Sequence, residues 1–284
     1  MDNQFLLFNN CITLILVILA SYLAAYQRRA LLYLVIAATL AIMLRFSLKA
    51  DISQLDWMEF VKLMFLVPFG LGTVIGFGLL PRKLQQVHIS WFTVFINLAV
   101  LGNIFMMVFV PADETYRGLM SRVTCLLLLV WLMQEMAKVK WRTIVYDNGF
   151  FIFNSSLLAW VLCHACYRLA LISLPSFASI HYLLMEPLSL GVMVFFYHMH
   201  GRKYPVNYYF GYADTLVVST MAVVSQLFDF TGRAISIPSK YILTQHELDL
   251  IFLPLQSIVL FIALGAIGVN LLHSYREKYV GRTT

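Results

Sequence analysis

Apolar stretches separated by short polar connections recur along the whole chain. Nine of them are long enough to cross a bilayer, which takes a helix of about 20 residues. They cover residues 5–26, 30–48, 60–80, 89–110, 118–137, 149–173, 181–198, 213–230 and 250–273. The pattern therefore predicts an all-α, polytopic integral membrane helical bundle that forms a single domain over residues 1–284. The eighth stretch is short and ends in polar residues, so the predicted number of spans is eight or nine.

Composition supports this interpretation. The chain is 61% hydrophobic and 12% charged, whereas soluble domains carry about 25% charged residues. The net charge of +6 is typical of cytoplasmic loops that meet anionic headgroups. We therefore expect membrane lipids as partners and no nucleic acid.

Charge alternates between the two ends of successive predicted spans. Basic residues cluster in connections one, three, five and seven and after the last span, at positions 28, 29, 82, 83, 138, 140, 142, 202, 203, 276, 278 and 282. The N-terminus and the opposite connections together carry eight of the 14 acidic residues. By the positive-inside rule, this distribution places the C-terminus in the cytoplasm and the N-terminus outside.

The sixth and seventh stretches contain the charges that cost most to bury in a membrane. If a short turn at residues 174–180 joins two helices, Arg168 and Glu186 lie at the same depth, about 7–8 Å inside the outer surface. Opposite charges in hydrocarbon pair, so we expect an ion pair. The pair either fixes the register of the two helices or borders a binding site.

The same outer region collects further polar residues. His164 and Arg168 are one helical turn apart, and Asn154 is predicted to share their polar stripe. Arg45, Lys62, Asp229 and Gln256 fall in the outer third of other predicted spans. Together these residues predict an outward-facing polar pocket. Alternatively, Arg45, Lys62 and Asp229 extend to the outer interface, and His164 is a neutral, hydrogen-bonded core residue.

Sequence motifs for catalysis, metals or cofactors were not found. Cys163 and Cys166 share a helix face, but His164 points about 100° away from Cys163 on a regular helix. The cysteines are therefore interpreted as core residues, and neither a metal nor a cofactor is predicted. Enzyme status stays uncertain, because no catalytic signature occurs.

Three functions remain open on the sequence alone. The leading hypothesis is a multi-pass protein of the bacterial plasma membrane that binds or senses a small amphiphile, an anionic ligand or a lipid, as a sensor or accessory subunit. The alternatives are a transporter or proton-coupled permease, and an intramembrane lipid-modifying enzyme. A sensor of this kind would pass its signal to a protein partner or to a second copy.

Overall fold

Helices dominate the computed structural model, which describes residues 2–49, 51–52, 54–109, 115–174, 184–227 and 244–279. The helices are α1 (Asp2–Tyr26), α2 (Arg28–Ser47), α3 (Gln54–Met64), α4 (Thr73–Leu79), α5 (Arg82–Phe109), α6 (Tyr116–Lys138), α7 (Leu158–Ile172), α8 (Met185–Met199), α9 (Phe210–Leu227) and α10 (Gln245–Tyr279). A π-helical segment (Phe65–Gly72) joins α3 to α4, and a 3₁₀ turn (Val206–Tyr209) precedes α9. Strands β1 (Ile144–Asp147) and β2 (Phe150–Phe153) form an antiparallel hairpin.

Five helices within the described ranges are long and apolar enough to cross a bilayer. They are Arg28–Ser47, Phe60–Leu79, Arg82–Phe109, Tyr116–Lys138 and His246–Arg276. These correspond to the second, third, fourth, fifth and ninth predicted spans. The result agrees with a helical membrane protein, while the number of nine spans and their orientation stay predictions.

The prediction for residues 149–173 is wrong in its first half. Instead of one continuous helix, the hairpin occupies residues 144–153 and α7 begins only at Leu158. Asn148 and Gly149 have φ angles of +48° and +78°, which suit the two-residue Asn-Gly turn that joins antiparallel strands. The 15 residues of α7 rise only about 22 Å, less than the roughly 30 Å of a bilayer core.

The third predicted span is a helix with a π-helical interior. Pro68 lies in the π segment and has no N–H to donate to the preceding turn. Ser219 Oγ donates to the carbonyl of Leu66 at 2.9 Å, and Thr73 Oγ1 donates to that of Gly70 at 3.2 Å. Side-chain hydroxyls thus stabilise the local change in winding.

Contacts divide the chain into two compact units. Unit 1 contains Met1–Ser90, Ile144–Phe153 and Ser179–Lys240; unit 2 contains Trp91–Thr143, Asn154–Ala178 and Tyr241–Thr284. In unit 1, α9 packs against α1, α8, the π segment and β2. All four residues of β2 are buried. The interpretation of residues 1–284 as a single domain stays a prediction.

In unit 2, α6 packs against α7 and α10. The buried positions of α6 recur every three or four residues from Arg117 to Met136, as expected of one helix face. Trp160 Nε1 at the start of α7 donates to the carbonyl of Leu128 at 2.9 Å. Arg117 Nη1, at the start of α6, reaches Ser173 at the end of α7, so α6 and α7 are antiparallel.

Candidate functional site

Helix α2, over residues 28–40, packs against residues 68–79 of the π segment and α4. We call this contact the α2 seam. Ala30 and Leu79 border one cavity, and Leu40 and Pro68 border another. The two segments are therefore antiparallel. Near the middle of the seam, Gly72 lies so close to α2 that an added Cβ would be 3.3 Å from Val35 Cγ1.

An open cavity of about 460 Å³ lies at the start of α2, and we call it the polar cavity because four of its six lining residues have polar groups. It is lined by Tyr26, Gln27, Arg28, Arg29, Ala30 and Leu79. Two of these six residues carry a guanidinium group and none carries a carboxylate. The cavity therefore offers hydrogen-bond donors and positive charge to a ligand.

An apolar cavity of about 230 Å³ continues along the same seam. It is lined by Leu32, Val35, Ile36, Thr39, Leu40, Pro68, Gly72 and Thr73. Thr39 Oγ1 donates to the carbonyl of Val35 at 2.8 Å, and the Thr73 hydroxyl donates to its own helix. Because both hydroxyls are used within their helices, the groove suits a hydrocarbon chain better than a polar group.

Arg28 is held in place by the turn of the β-hairpin. Its Nη2 donates to the carbonyl of Asn148 at 2.6 Å, and its Nε donates to that of Ala24 at 3.1 Å. The guanidinium carbon lies 5.4 Å from the centroid of the Phe150 ring. A Cβ at Gly149 would lie only 1.8 Å from Arg28 Nη1, so only glycine admits the arginine in this position.

A buried histidine also contacts the hairpin. His200 stacks on Phe150, with ring centroids 4.6 Å apart, and on Tyr204 at 5.7 Å. Its Nδ1 is 2.7 Å from Tyr209 Oη, and its Nε2 is 3.4 Å from Asp147 Oδ2. The hairpin, the end of α8 and the 3₁₀ turn therefore form one polar network.

Charges in this network are compensated. Asp147 accepts hydrogen bonds from Lys203 and from Tyr204. The ammonium group of Lys203 lowers the pKa of Asp147 below its usual value, and the carboxylate raises that of Lys203. Burial lowers the pKa of His200, although Asp147 opposes this effect. At neutral pH, His200 is therefore neutral and Asp147 is ionised.

Unit 2 contains a different polar cluster at the first turns of α6 and α10. Arg117 is 1% exposed, and its Nε lies 2.5 Å from Asp249 Oδ1. Its Nη1 donates to Ser173 Oγ at 2.7 Å and to the Ser173 carbonyl at 3.1 Å. The fully buried Gln256 donates to Ser121 Oγ at 2.6 Å. These contacts join three helices.

A second cluster links the last turn of α6 to Asn270, which lies nine residues before the end of α10. Glu135, 5% exposed, accepts from Lys138 Nζ at 2.7 Å and from Asn270 Nδ2 at 2.8 Å. Trp131 Nε1 donates to the same carboxylate at 3.3 Å. Since Asp249 near the start of α10 meets Arg117 at the start of α6, and Asn270 further along α10 meets Glu135 near the end of α6, the two helices run parallel.

The three residues at the centre of the sequence prediction are all buried. His164 and Arg168 are each 4% exposed on α7, and Glu186 is 1% exposed at the start of α8. His164 stacks on Trp160 with centroids 4.9 Å apart. Arg168 belongs to unit 2 and Glu186 to unit 1, and their pairing stays a prediction.

Asn154 does not share a helical stripe with His164 and Arg168, because it lies beyond β2 and before α7. Its Nδ2 donates to the carbonyl of Arg142 at 3.2 Å. Arg45 and Lys62 are exposed, and Asp229 lies outside the described residues. Gln256 Nε2 donates to the carbonyl of Arg117 at 3.4 Å and to Ser121 Oγ at 2.6 Å, and neither partner belongs to the predicted pocket.

Arg28 and Arg29 entered the sequence analysis only as basic residues that mark the predicted cytoplasmic side, and Arg117 was not among the predicted site residues. A signal for Arg117 was present, because Arg117, Ser121 and Thr124 lie on one face of a helix whose other residues are mostly apolar. A signal for the position of Arg28 was also present in Asn148-Gly149, since this dipeptide between β-forming residues marks a hairpin. The cavity beside Arg28 has no local sequence signature.

Comparison with known proteins gives no relative: no family model, curated protein or solved structure matches the chain.

Proposed function

We propose that this chain is a multi-pass membrane protein whose α2 seam binds the hydrocarbon chain of a lipid-like amphiphile, and that it acts as a sensor or accessory subunit. The apolar cavity of about 230 Å³ between α2 and residues 68–73 carries the proposal. Its wall includes Pro68 and Gly72 of the π segment, and π-helical turns occur frequently at functional sites.

Exposure of α2 supports access from the bilayer. Only Leu31, Val35 and Ile42 of this helix are buried, while Leu40 is 60% exposed and Ile36 is 48% exposed. In a membrane, such side chains contact acyl chains. A chain that enters the seam gains contacts on two helices, whereas one beside a flat helix face gains contacts on one.

The nine-span arrangement, with the N-terminus outside, forms part of the proposal. In that arrangement the fifth and ninth spans both run from outside to the cytoplasm. The parallel directions of α6 and α10 support it. The arginine end of the seam then faces the cytoplasm of a bacterial cell.

Photo-crosslinking tests the proposal. The full chain is reconstituted with phosphatidylcholine that carries a diazirine in the middle of one acyl chain, and labelled peptides are mapped by mass spectrometry. We expect residues 32–40 and 68–73 to be labelled several-fold more than residues 94–98 of α5, where Val94 and Leu98 are also exposed.

Two matched variants of α2 make the test specific. Thr39→Phe places a ring in the cavity and should reduce labelling of residues 68–73 several-fold. Leu34→Phe adds a ring at a position that does not line the cavity and should leave labelling unchanged. Uniform labelling of all exposed helix faces in the wild type, or an equal loss in both variants, would show that the seam is not a binding site.

A further inference from the structure

The polar cavity at the start of α2 adds a headgroup site to the hydrocarbon site. We propose that Arg28 and Arg29 bind the anionic phosphate ester of a phospholipid whose acyl chain enters the α2 seam. This inference rests on the proposed function, because it names the chemical class of the same amphiphile.

The two cavities follow one another along α2 as the headgroup and acyl chain do in a phospholipid. Both cavities lie along α2, the polar one at residues 26–30 and the apolar one at residues 32–40. From Arg29 to Thr39 the helix rises about 15 Å, which takes it from the headgroup region into the hydrocarbon core. A lipid spans the same change of polarity along its own length, whereas a soluble anion would use only the polar end.

The charge of the polar cavity suits an anionic phosphate. The guanidinium of arginine presents planar donors that match phosphate oxygens. No carboxylate lines the cavity, and Asp147 of the neighbouring hairpin is paired with Lys203. Basic pockets between membrane helices on the cytoplasmic side are typical sites for anionic headgroups.

Arg28 is preorganised for ligand binding. Four contacts hold Arg28: the carbonyls of Ala24, Ala25 and Asn148 and the ring of Phe150. A side chain fixed before binding loses less conformational freedom when the ligand arrives. Arg29 is exposed and supplies the second charge, so one arginine is held in advance and the other adjusts to the ligand.

Electron paramagnetic resonance with spin-labelled lipids tests this assignment. The full chain is placed in phosphatidylcholine vesicles with a trace of spin-labelled phosphatidylglycerol or, separately, spin-labelled phosphatidylcholine, and the motionally restricted fraction is measured. We expect wild type to favour phosphatidylglycerol several-fold at low salt. Arg29→Gln should bring this ratio close to one, and Arg28→Gln should act in the same direction.

Arg82→Gln is the matched control, because it removes one positive charge from an exposed residue on the same predicted side. It should keep the preference. The assignment fails if wild type shows no preference, if Arg82→Gln lowers it as much as Arg29→Gln, or if millimolar glycerol phosphate displaces the lipid, which would indicate a soluble phosphate ligand.

Failure of the headgroup assignment can be distinguished from failure of the hydrocarbon site. Thr39→Phe should reduce the restricted fraction of both lipids equally, whereas Arg29→Gln should reduce only that of phosphatidylglycerol. If Thr39→Phe lowers both fractions and no headgroup preference exists, the seam binds acyl chains without a phosphate site. If Thr39→Phe changes neither fraction, the seam itself is excluded and the proposed function falls with it.

Discussion

The α2 seam and the α6–α10 pair both place arginine beside apolar helix faces, but they use the charge differently. Arg117 is 1% exposed and contacts Asp249 and Ser173. Arg28 and Arg29 instead border an open cavity of about 460 Å³. A paired and buried arginine joins helices, while an arginine beside a cavity can meet a ligand. Pairing within the fold therefore separates the structural charges from the candidate binding charges.

Breaking the Arg117–Asp249 pair should have the largest effect on stability. Asp249→Ala leaves the buried guanidinium without its carboxylate, and we expect a loss of about 3 kcal/mol in the free energy of unfolding. Arg117→Met should cost less, about 1–2 kcal/mol, because the half-exposed Asp249 can be hydrated. Unfolding by sodium dodecyl sulfate in mixed micelles measures both values.

The double variant, Arg117→Met with Asp249→Ala, sharpens this prediction. It should be more stable than Asp249→Ala alone, because no charge remains unpaired. If Asp249→Ala alone costs less than about 0.5 kcal/mol, the cluster does not stabilise unit 2 as a buried pair would.

Gly149→Ala should have an intermediate effect and should connect the hairpin to the lipid site. The positive φ of +78° disfavours alanine by about 1–2 kcal/mol, and the new Cβ must displace the Arg28 guanidinium. We therefore expect both lower thermal stability and a smaller preference for phosphatidylglycerol in the spin-label assay.

Gly201→Ala provides the control for backbone strain. Gly201 also has a positive φ, +69°, but an added Cβ would meet nothing within 4 Å. The Gly201→Ala variant should lose stability only because of the unfavourable φ angle, and it should keep its preference for phosphatidylglycerol. An equal effect of both variants on lipid preference would show that the hairpin does not position Arg28.

The smallest effect is expected in the pH dependence of unit 1. Burial lowers the pKa of His200 from its usual 6.5, so below this value the unfolded chain takes up a proton that the folded chain resists. Stability should then fall as pH drops from about 6.5 towards the folded pKa. His200→Asn keeps an acceptor near Tyr209 and should remove this part of the profile, as measured by thermal unfolding from pH 5 to 7.5.

Asp147 contributes to the same profile at lower pH. Its pKa is lowered by Lys203, so its stabilisation is present above the unfolded pKa and is lost as pH falls through the folded value. His200→Asn should leave this loss of stability at lower pH unchanged. If the variant and wild type lose stability identically below pH 6.5, His200 does not carry this transition.

Hydropathy predicted the long helices well, because a bilayer imposes a minimum length on any apolar helix that crosses it. The same criterion failed at residues 149–157. Phe150–Phe153 is apolar and was therefore included in the predicted span of residues 149–173. In the structure these residues form a strand that is buried by α9 and the 3₁₀ turn. A segment buried inside a protein and a segment buried in lipid can have the same apolar composition, so hydropathy cannot separate the two.

The candidate site could be predicted from the sequence less well than the helices. Reasoning by depth selected Arg168, Glu186 and His164, all of which are buried, and assigned Arg28 and Arg29 to a connection. Whether an arginine borders a cavity depends on which helices surround it. That information lies in contacts between residues 28 and 149, far apart in the chain, and no local pattern encodes it.

The two polar clusters of α6 also fix a length. From Arg117 to Glu135 the helix rises about 27 Å, and the parallel α10 is attached at both levels through Asp249 and Asn270. Hydrophobic mismatch in a thicker bilayer is usually relieved by the tilt of single helices. Here the two helices are joined at two levels, so we expect them to tilt together, and a change in bilayer thickness would then act on unit 2 as a whole.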